Sequence, residues 1–147
     1  MKISTKGRYA LRMMICLAEN GKEKNISTRE LSAMIHVNTK YLEQIAGQLA
    51  KTGLVRVMRG SSGGYRLSRK PEEYPVLEII EAVEGSLAPV DCLETQENYC
   101  EYADECPTLA FWTEFYGVIR EFFGNKTLKD FLGKTEIRTA DICANGN

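Results

Sequence analysis

Three cysteines, Cys92, Cys100 and Cys106, fall in a short acidic stretch that also holds Glu94, Glu97, Glu101, Asp104 and Glu105. Thiolates are soft ligands, and three of them on one flexible loop suit an iron–sulfur group or zinc. Gaps of seven and five residues differ from the Cys-x2-Cys pairs of zinc knuckles. The same thiols admit two cofactor-free readings, a reversible redox pair or no chemistry at all. Of the other two cysteines, Cys16 reads as a core residue on an apolar helix face, and Cys143, in the C-terminal tail, needs no role.

A second constellation is polar and basic. Lys40, Tyr41, Glu43 and Gln44 lie outward on a stretch whose inward stripe is Leu42, Ile45, Ala46 and Leu49. Laid along a major groove, such residues reach base edges: a glutamate accepts from a cytosine amino group, and a glutamine pairs bidentately with adenine. Arg59-Gly60-Ser61-Ser62-Gly63-Gly64 then offers an arginine on a glycine-rich tip, suited to the negative potential of a narrow minor groove. Asn38 serves equally as a helix cap, and Tyr41 equally as a packing residue. Lys40, together with Lys6, Arg8, Arg56 and Arg66, reads as phosphate contacts or solvated charge. With no nucleotide-binding glycine motif and no acid–base pair beside the cysteines, an enzyme or a redox carrier would leave this basic half without a task.

The charge is segregated along the chain. Up to Lys70 there are 14 Lys and Arg against 4 acids, and beyond it 5 against 16, so a net charge of -1 hides a strongly dipolar sequence. A basic segment of this density attracts polyanions and supplies salt-dependent, sequence-independent affinity for DNA. The start of the chain lacks the apolar stretch of a signal peptide, and no apolar run approaches membrane-spanning length, so a cytoplasmic protein with no membrane association is expected. In that reducing compartment the cysteines are poor candidates for structural disulfides.

The elements that position these groups follow from periodicity. Residues 6–19 predict a well-buried helix, stopped at Asn20-Gly21. Ser27-Thr28-Arg29-Glu30 has the spacing of a capping box, so a short second helix starts near Thr28, and Asn38 caps a third that runs to about Lys51. The period then changes to two over Leu54–Met58 and again from Tyr65, which predicts a hairpin. Three helices and a hairpin in that order give a winged helix-turn-helix. Val76–Glu84 predicts a short helix with Val76, Leu77, Ile79, Ile80 and Val83 inward. A long helix is expected from Pro107, with two apolar ladders: Leu109, Trp112, Tyr116, Ile119 and Phe123 on one side, and Phe111, Phe115, Val118 and Phe122 on the other. One ladder packs on its own subunit and the other on a partner, so this is read as a dimerisation helix of a homodimer, the rival being a core helix in a monomer. Thr127-Leu128-Lys129-Asp130 caps a last short helix.

The expected class is therefore mainly α, a winged helix-turn-helix with a small β-hairpin wing and a long C-terminal dimerisation helix. The expected organisation is a DNA-binding domain over 1–70, a linker and short helix over 71–90, a cysteine loop over 91–106, the dimerisation helix and last short helix over 107–135, and a flexible tail over 136–147.

Ser4-Thr5-Lys6-Gly7-Arg8-Tyr9-Ala10-Leu11, Tyr41-Leu42-Glu43-Gln44, Gly53-Leu54-Val55, Arg59-Gly60 and Gly63-Gly64-Tyr65 together resemble the Rrf2 family of bacterial regulators, the IscR, NsrR and CymR group. The likeness runs from residue 1 to about 132 and is strongest to the IscR-like iron–sulfur members. The resemblance implies a dimer on double-stranded operator DNA, acting as a repressor, with Asn38, Lys40, Tyr41, Glu43 and Gln44 reading bases and Arg59 and Gly60 at the wing. It further implies that Cys92, Cys100 and Cys106 hold an iron–sulfur cluster, 2Fe-2S before 4Fe-4S, that senses cluster, redox or nitrosative status. The fourth ligand is open: Leu109 stands where IscR-like members carry a histidine, and Arg8 where NsrR-like members carry an acid. A loop carboxylate, a residue of the other subunit or an exogenous thiol would serve. The alternative within the family is a cluster-free, CymR-like regulator that answers to a partner protein or to thiol oxidation.

Overall fold

The computed structural model describes residues 1–22 and 24–134; the tail expected over 136–147, with Cys143, lies outside them. The described residues form five helices and one hairpin: α1 (Thr5–Asn20), α2 (Thr28–Ile35), α3 (Thr39–Lys51), β1 (Val55–Met58), β2 (Gly64–Leu67), α4 (Val76–Glu84) and α5 (Leu109–Gly124), with single 3-10 turns between them. The strands pair antiparallel, Val55 opposite Leu67 and Met58 opposite Gly64. This is the mainly helical, winged architecture that the periodicities predicted.

Local sequence sets most helix ends. α1 stops at Gly21, whose N–H reaches the Leu17 carbonyl at 2.8 Å. Ser27 and Glu30 close the expected box at α2: Ser27 N donates to Glu30 Oε2 at 2.8 Å and Glu30 N to Ser27 Oγ at 3.2 Å. Asn38 Oδ1 accepts from Tyr41 N at 2.8 Å and starts α3. Between α2 and α3 the chain turns on His36, which adopts a left-handed conformation (φ 56°, ψ 45°).

The Ser27 amide, then Lys24 at 3.0 Å and the Ser27 hydroxyl, hold the Glu30 carboxyl down at about 2. A carboxyl lowered by folding contributes its full stabilisation above its ordinary value and loses it as the pH falls toward the folded one. Glu30→Ala is therefore expected to lower Tm at pH 7 and to lower it much less near pH 2. Thermal melts at the two pH values check this, and equal losses would place the effect outside the cap.

Two apolar clusters sit side by side. The larger joins Ala10, Met13, Met14 and Leu17 of α1 to Leu31, to the inward stripe of α3, and to Leu54, Tyr74, Ile79 and Val83. Tyr74 ties this core together. Its ring is fully buried, while its hydroxyl donates to the Leu54 carbonyl at 2.8 Å and accepts from the amides of Ser68 at 2.7 Å and Arg69 at 2.8 Å. The base of the hairpin and the approach to α4 are thus pinned to one oxygen. The smaller cluster gathers Val76, Ile80, Leu87 and Ile119, with Leu77, Tyr116 and Phe123 against it.

Two expectations about the rear of the chain need correction. The long helix starts at Leu109 and not at Pro107. Cys106 is extended (ψ 111°), as the residue before a proline prefers, and Leu109 N bonds to Cys106 O at 3.4 Å, so Pro107 occupies a turn instead of a first helical turn. The last helix is one 3-10 turn, Leu128–Phe131, although the Thr127–Asp130 cap predicted for it is present. The turn ends at Leu132, which is extended (ψ 137°).

Candidate nucleic-acid interface and cysteine loop

α3 turns its stripe of Leu42, Ile45, Ala46 and Leu49 fully inward, so Lys40, Glu43 and Gln44 are left exposed on the other side. α1 holds this helix in place. Arg12 Nη2 donates to the carbonyl of Ile35, the last residue of α2, at 2.6 Å, and its guanidinium lies 5.3 Å from the centre of the Tyr9 ring. Tyr9 in turn meets Tyr41 edge-on, with centroids 6.0 Å apart. Tyr41 is thus half-buried and packed, and Asn38 spends its carbonyl oxygen on the cap while the residue stays exposed.

At the hairpin tip Arg59 and Gly60 are exposed, and Gly60 has φ 108°, a conformation that strains any residue with a Cβ. The hairpin does not stand free. Ile26 and Tyr65 exchange backbone hydrogen bonds of 2.9 and 2.8 Å, and Asn25 Nδ2 donates to Ser62 O at 3.1 Å. Gly64 allows that approach, since a Cβ there would run into the Ile26 carbonyl. The strand-like bridge joins the segment leading into α2 directly to the wing.

The cysteine loop connects α4 to α5. Cys92 is half-buried in the 3-10 turn Asp91–Leu93, Cys100 is exposed, and Cys106 is half-buried just before α5. The Thr108 hydroxyl, 3.6 Å from Cys106 Sγ, and the amides of Thr108 and Leu109 hold that thiol below its ordinary value. All three are free thiols, soft donors of the kind an iron–sulfur group takes and three of the four it needs. The loop places them in one region without gathering them: among the described residues no three His, Cys, Asp or Glu side chains stand close enough to hold a metal ion. Leu109 and Arg8, where the resemblance would put a fourth ligand, supply no thiolate, imidazole or carboxylate. Cys16 is core, as expected, with its thiol pushed up by burial and 3.3 Å from Met34 Sδ.

Sequence reasoning missed Glu84. Its Oε1 accepts from Ser4 N at 3.0 Å, Ser4 Oγ at 2.5 Å and Gly7 N at 2.9 Å, so the last residue of α4 caps the first turn of α1. The next residue, Gly85, opens the segment that carries the cysteines. The one available signal was negative: Ser4 is an N-cap with glycine, not glutamate or glutamine, three residues on, so the reciprocal carboxylate had to come from elsewhere.

α5 shows its two ladders as different environments. Ile119 is buried, with Tyr116 and Phe123 packed beside it. Phe111, Phe115, Val118 and Phe122 remain 61, 41, 59 and 62% exposed, a continuous apolar face along the helix. No helix of the described residues is long and apolar enough to cross a membrane.

Comparison with known proteins agrees with this architecture. The description of the Rrf2 family, iron-dependent transcriptional regulators, matches residues 3–134. The chain is 34% identical over 136 residues to the HTH-type transcriptional regulator CymR of Bacillus subtilis, covering 92% of this chain and 93% of that one. It is 32% identical over 137 residues to IscR of Pectobacterium atrosepticum, covering 93% and 82% respectively. Among solved structures, CymR, the global cysteine regulator of B. subtilis, superposes with a TM-score of 0.74 at 32% identity, covering 92% of this chain and 99% of that one. IscR of T. potens gives 0.72 at 32% identity, with 92% and 89% covered.

Proposed function

Because this chain belongs to the Rrf2 family of transcriptional regulators, we propose that it works as a cytoplasmic homodimer that represses from operator DNA and adjusts its grip through the state of its cysteine loop. In this reading α3 enters the major groove with Lys40, Glu43 and Gln44 toward the bases. Asn38 and Tyr41 add contacts from groups that also hold the helix, and Arg59 and Gly60 enter the minor groove. The observation that carries it is the side of the molecule on which these groups lie: α3 buries its entire apolar stripe, leaves its polar residues exposed, and is bridged through the segment before α2 to an exposed arginine tip. The exposed ladder of α5 supplies the seam between two copies, and a dimer reads two half-sites, so a change in the relation of its heads changes affinity.

Cys92, Cys100 and Cys106 would hold the iron–sulfur cluster that the family description and the donor set suggest. When bound, the cluster would supply iron–thiolate bonds sensitive to oxidants and to nitric oxide. The loop's order, fixed by what its thiols bind, bears on the reading head through Glu84, which clamps the loop's root to α1. Protein purified without oxygen is expected to contain iron and sulfide and to absorb in the visible. Cys92→Ala should remove that absorption and shift operator affinity. Colourless, iron-free protein overturns the cluster. A second reading, a cluster-free regulator answering to thiol oxidation or a partner protein, draws its support from the separation of the three thiols; it expects operator binding that changes with oxidant in iron-free protein.

A further inference from the structure

The outer face of the hairpin carries an unusual pair. Arg56 and Arg66 are direct cross-strand partners, and both are exposed. Like charges directly opposite one another weaken a strand pair, yet among the described residues neither arginine has an ion-pair partner. Lys22, just past the end of α1, lines the same cavity of about 240 Å³ and has no carboxylate partner among the described residues. The fourth cation of that cavity shows that the fold does neutralise charge here when it serves structure. Arg69 is bound to Glu78 at 2.8 Å and lies 4.4 Å over the Tyr74 ring. Three cations without an ion-pair partner among the described residues thus line one small basin, large enough for roughly eight waters at about 30 Å³ each.

We propose that Lys22, Arg56 and Arg66 form a binding site for a phosphate-type oxyanion on the outer face of the hairpin. Arginine forks and an ammonium are the groups that match such an anion. The inference rests on the DNA-binding reading for its principal source, a backbone phosphate of the duplex beside the wing. Arg56 stands two residues, about 7 Å along the strand, behind Met58 at the tip end, within side-chain reach of the wall of a groove that the tip has entered. A free inorganic oxyanion has the same chemistry, and the test separates the two.

The experiment compares wild type with R56Q/R66Q and, independently, K22Q. Operator affinity is measured against salt concentration, and Tm is measured with and without inorganic phosphate. Expected for the dimer, in which each substitution occurs twice, is a loss of about four from the slope of log affinity against log salt for R56Q/R66Q and about two for K22Q, with operator-to-nonoperator preference unchanged. Without any anion the double variant should melt no lower than wild type, because a repulsion has been removed. Unchanged slopes, with phosphate raising Tm in wild type but not in R56Q/R66Q, support the site with a free oxyanion as its occupant. Unchanged slopes and no phosphate effect overturn it, as does a lower Tm of the double variant in anion-free buffer, which would make the arginines structural. Should wild type favour no promoter fragment, the regulator reading fails, while the phosphate melts still decide the site.

Discussion

Phe115→Glu is expected to convert the protein to monomers of about 16.6 kDa and to weaken operator binding roughly 100- to 10,000-fold, the advantage of two linked heads over one. Phe111, Phe115, Val118 and Phe122 recur at intervals of four, three and four along α5, so they share one face. Their exposure leaves the helix with an apolar surface that nothing among the described residues covers. In a two-fold arrangement each of these side chains is buried twice, once per subunit, and each burial contributes on the order of 1 to 2 kcal/mol. A glutamate in the middle of that face brings two uncompensated carboxylates into the seam. Because Phe115 contributes to neither buried cluster, helix content should be unchanged. Light scattering gives the mass and a gel shift gives the affinity; a variant that stays dimeric and binds normally would return the ladder to solvent.

The second large effect concerns the clamp between α4 and α1. A Cβ at Gly7 would fall on the Glu84 carboxylate, so Gly7→Ala must displace it and break a set of bonds at 2.5 to 3.0 Å. Overpacking of this kind costs about 1 to 3 kcal/mol, which for a chain of this size lowers Tm on the order of 5 °C. Glu84→Ala removes the same bonds by another route, so the double variant should lose clearly less than the two single losses added together. Additive losses would show that Gly7 and Glu84 act separately. Since Glu84 sits at the root of the cysteine loop, both single variants are expected to keep operator binding while losing most of its dependence on thiol state.

The parts of this fold that could be read from the residues are those governed by near neighbours. Ser27 and Glu30 are three residues apart, and their mutual cap appears as the spacing demands. The inward stripe of α3 and the unequal ladders of α5 follow from a 3.6-residue period, which fixes the face of a side chain without any knowledge of tertiary structure. Pro107 misled because the preference for proline in a first turn competes with its equal fitness for a tight turn, and the extended Cys106 resolved the competition. The Glu84 clamp joins residues about 80 positions apart, and the Tyr74 hydroxyl serves three backbone groups that no pattern links to it. The candidate site was legible in kind: the exposed groups of α3 and the hairpin tip stand where periodicity put them. The cysteines were legible only as a donor set, because two gap lengths in a loop do not determine where three sulfurs point.

The backbone exchange between Ile26 and Tyr65 makes the molecule a fixed caliper. On the proposed reading its two jaws, one for each groove, are joined through this bridge and the short helix α2, so a shift of one in depth or offset would drag the other. A duplex bound in that way would have to present both grooves at the right separation at once, and stretches whose minor groove is naturally pinched at that offset would be favoured even where no base edge is touched. Part of the discrimination would thereby pass from the letters of the sequence to the stiffness and width of the helix that carries them.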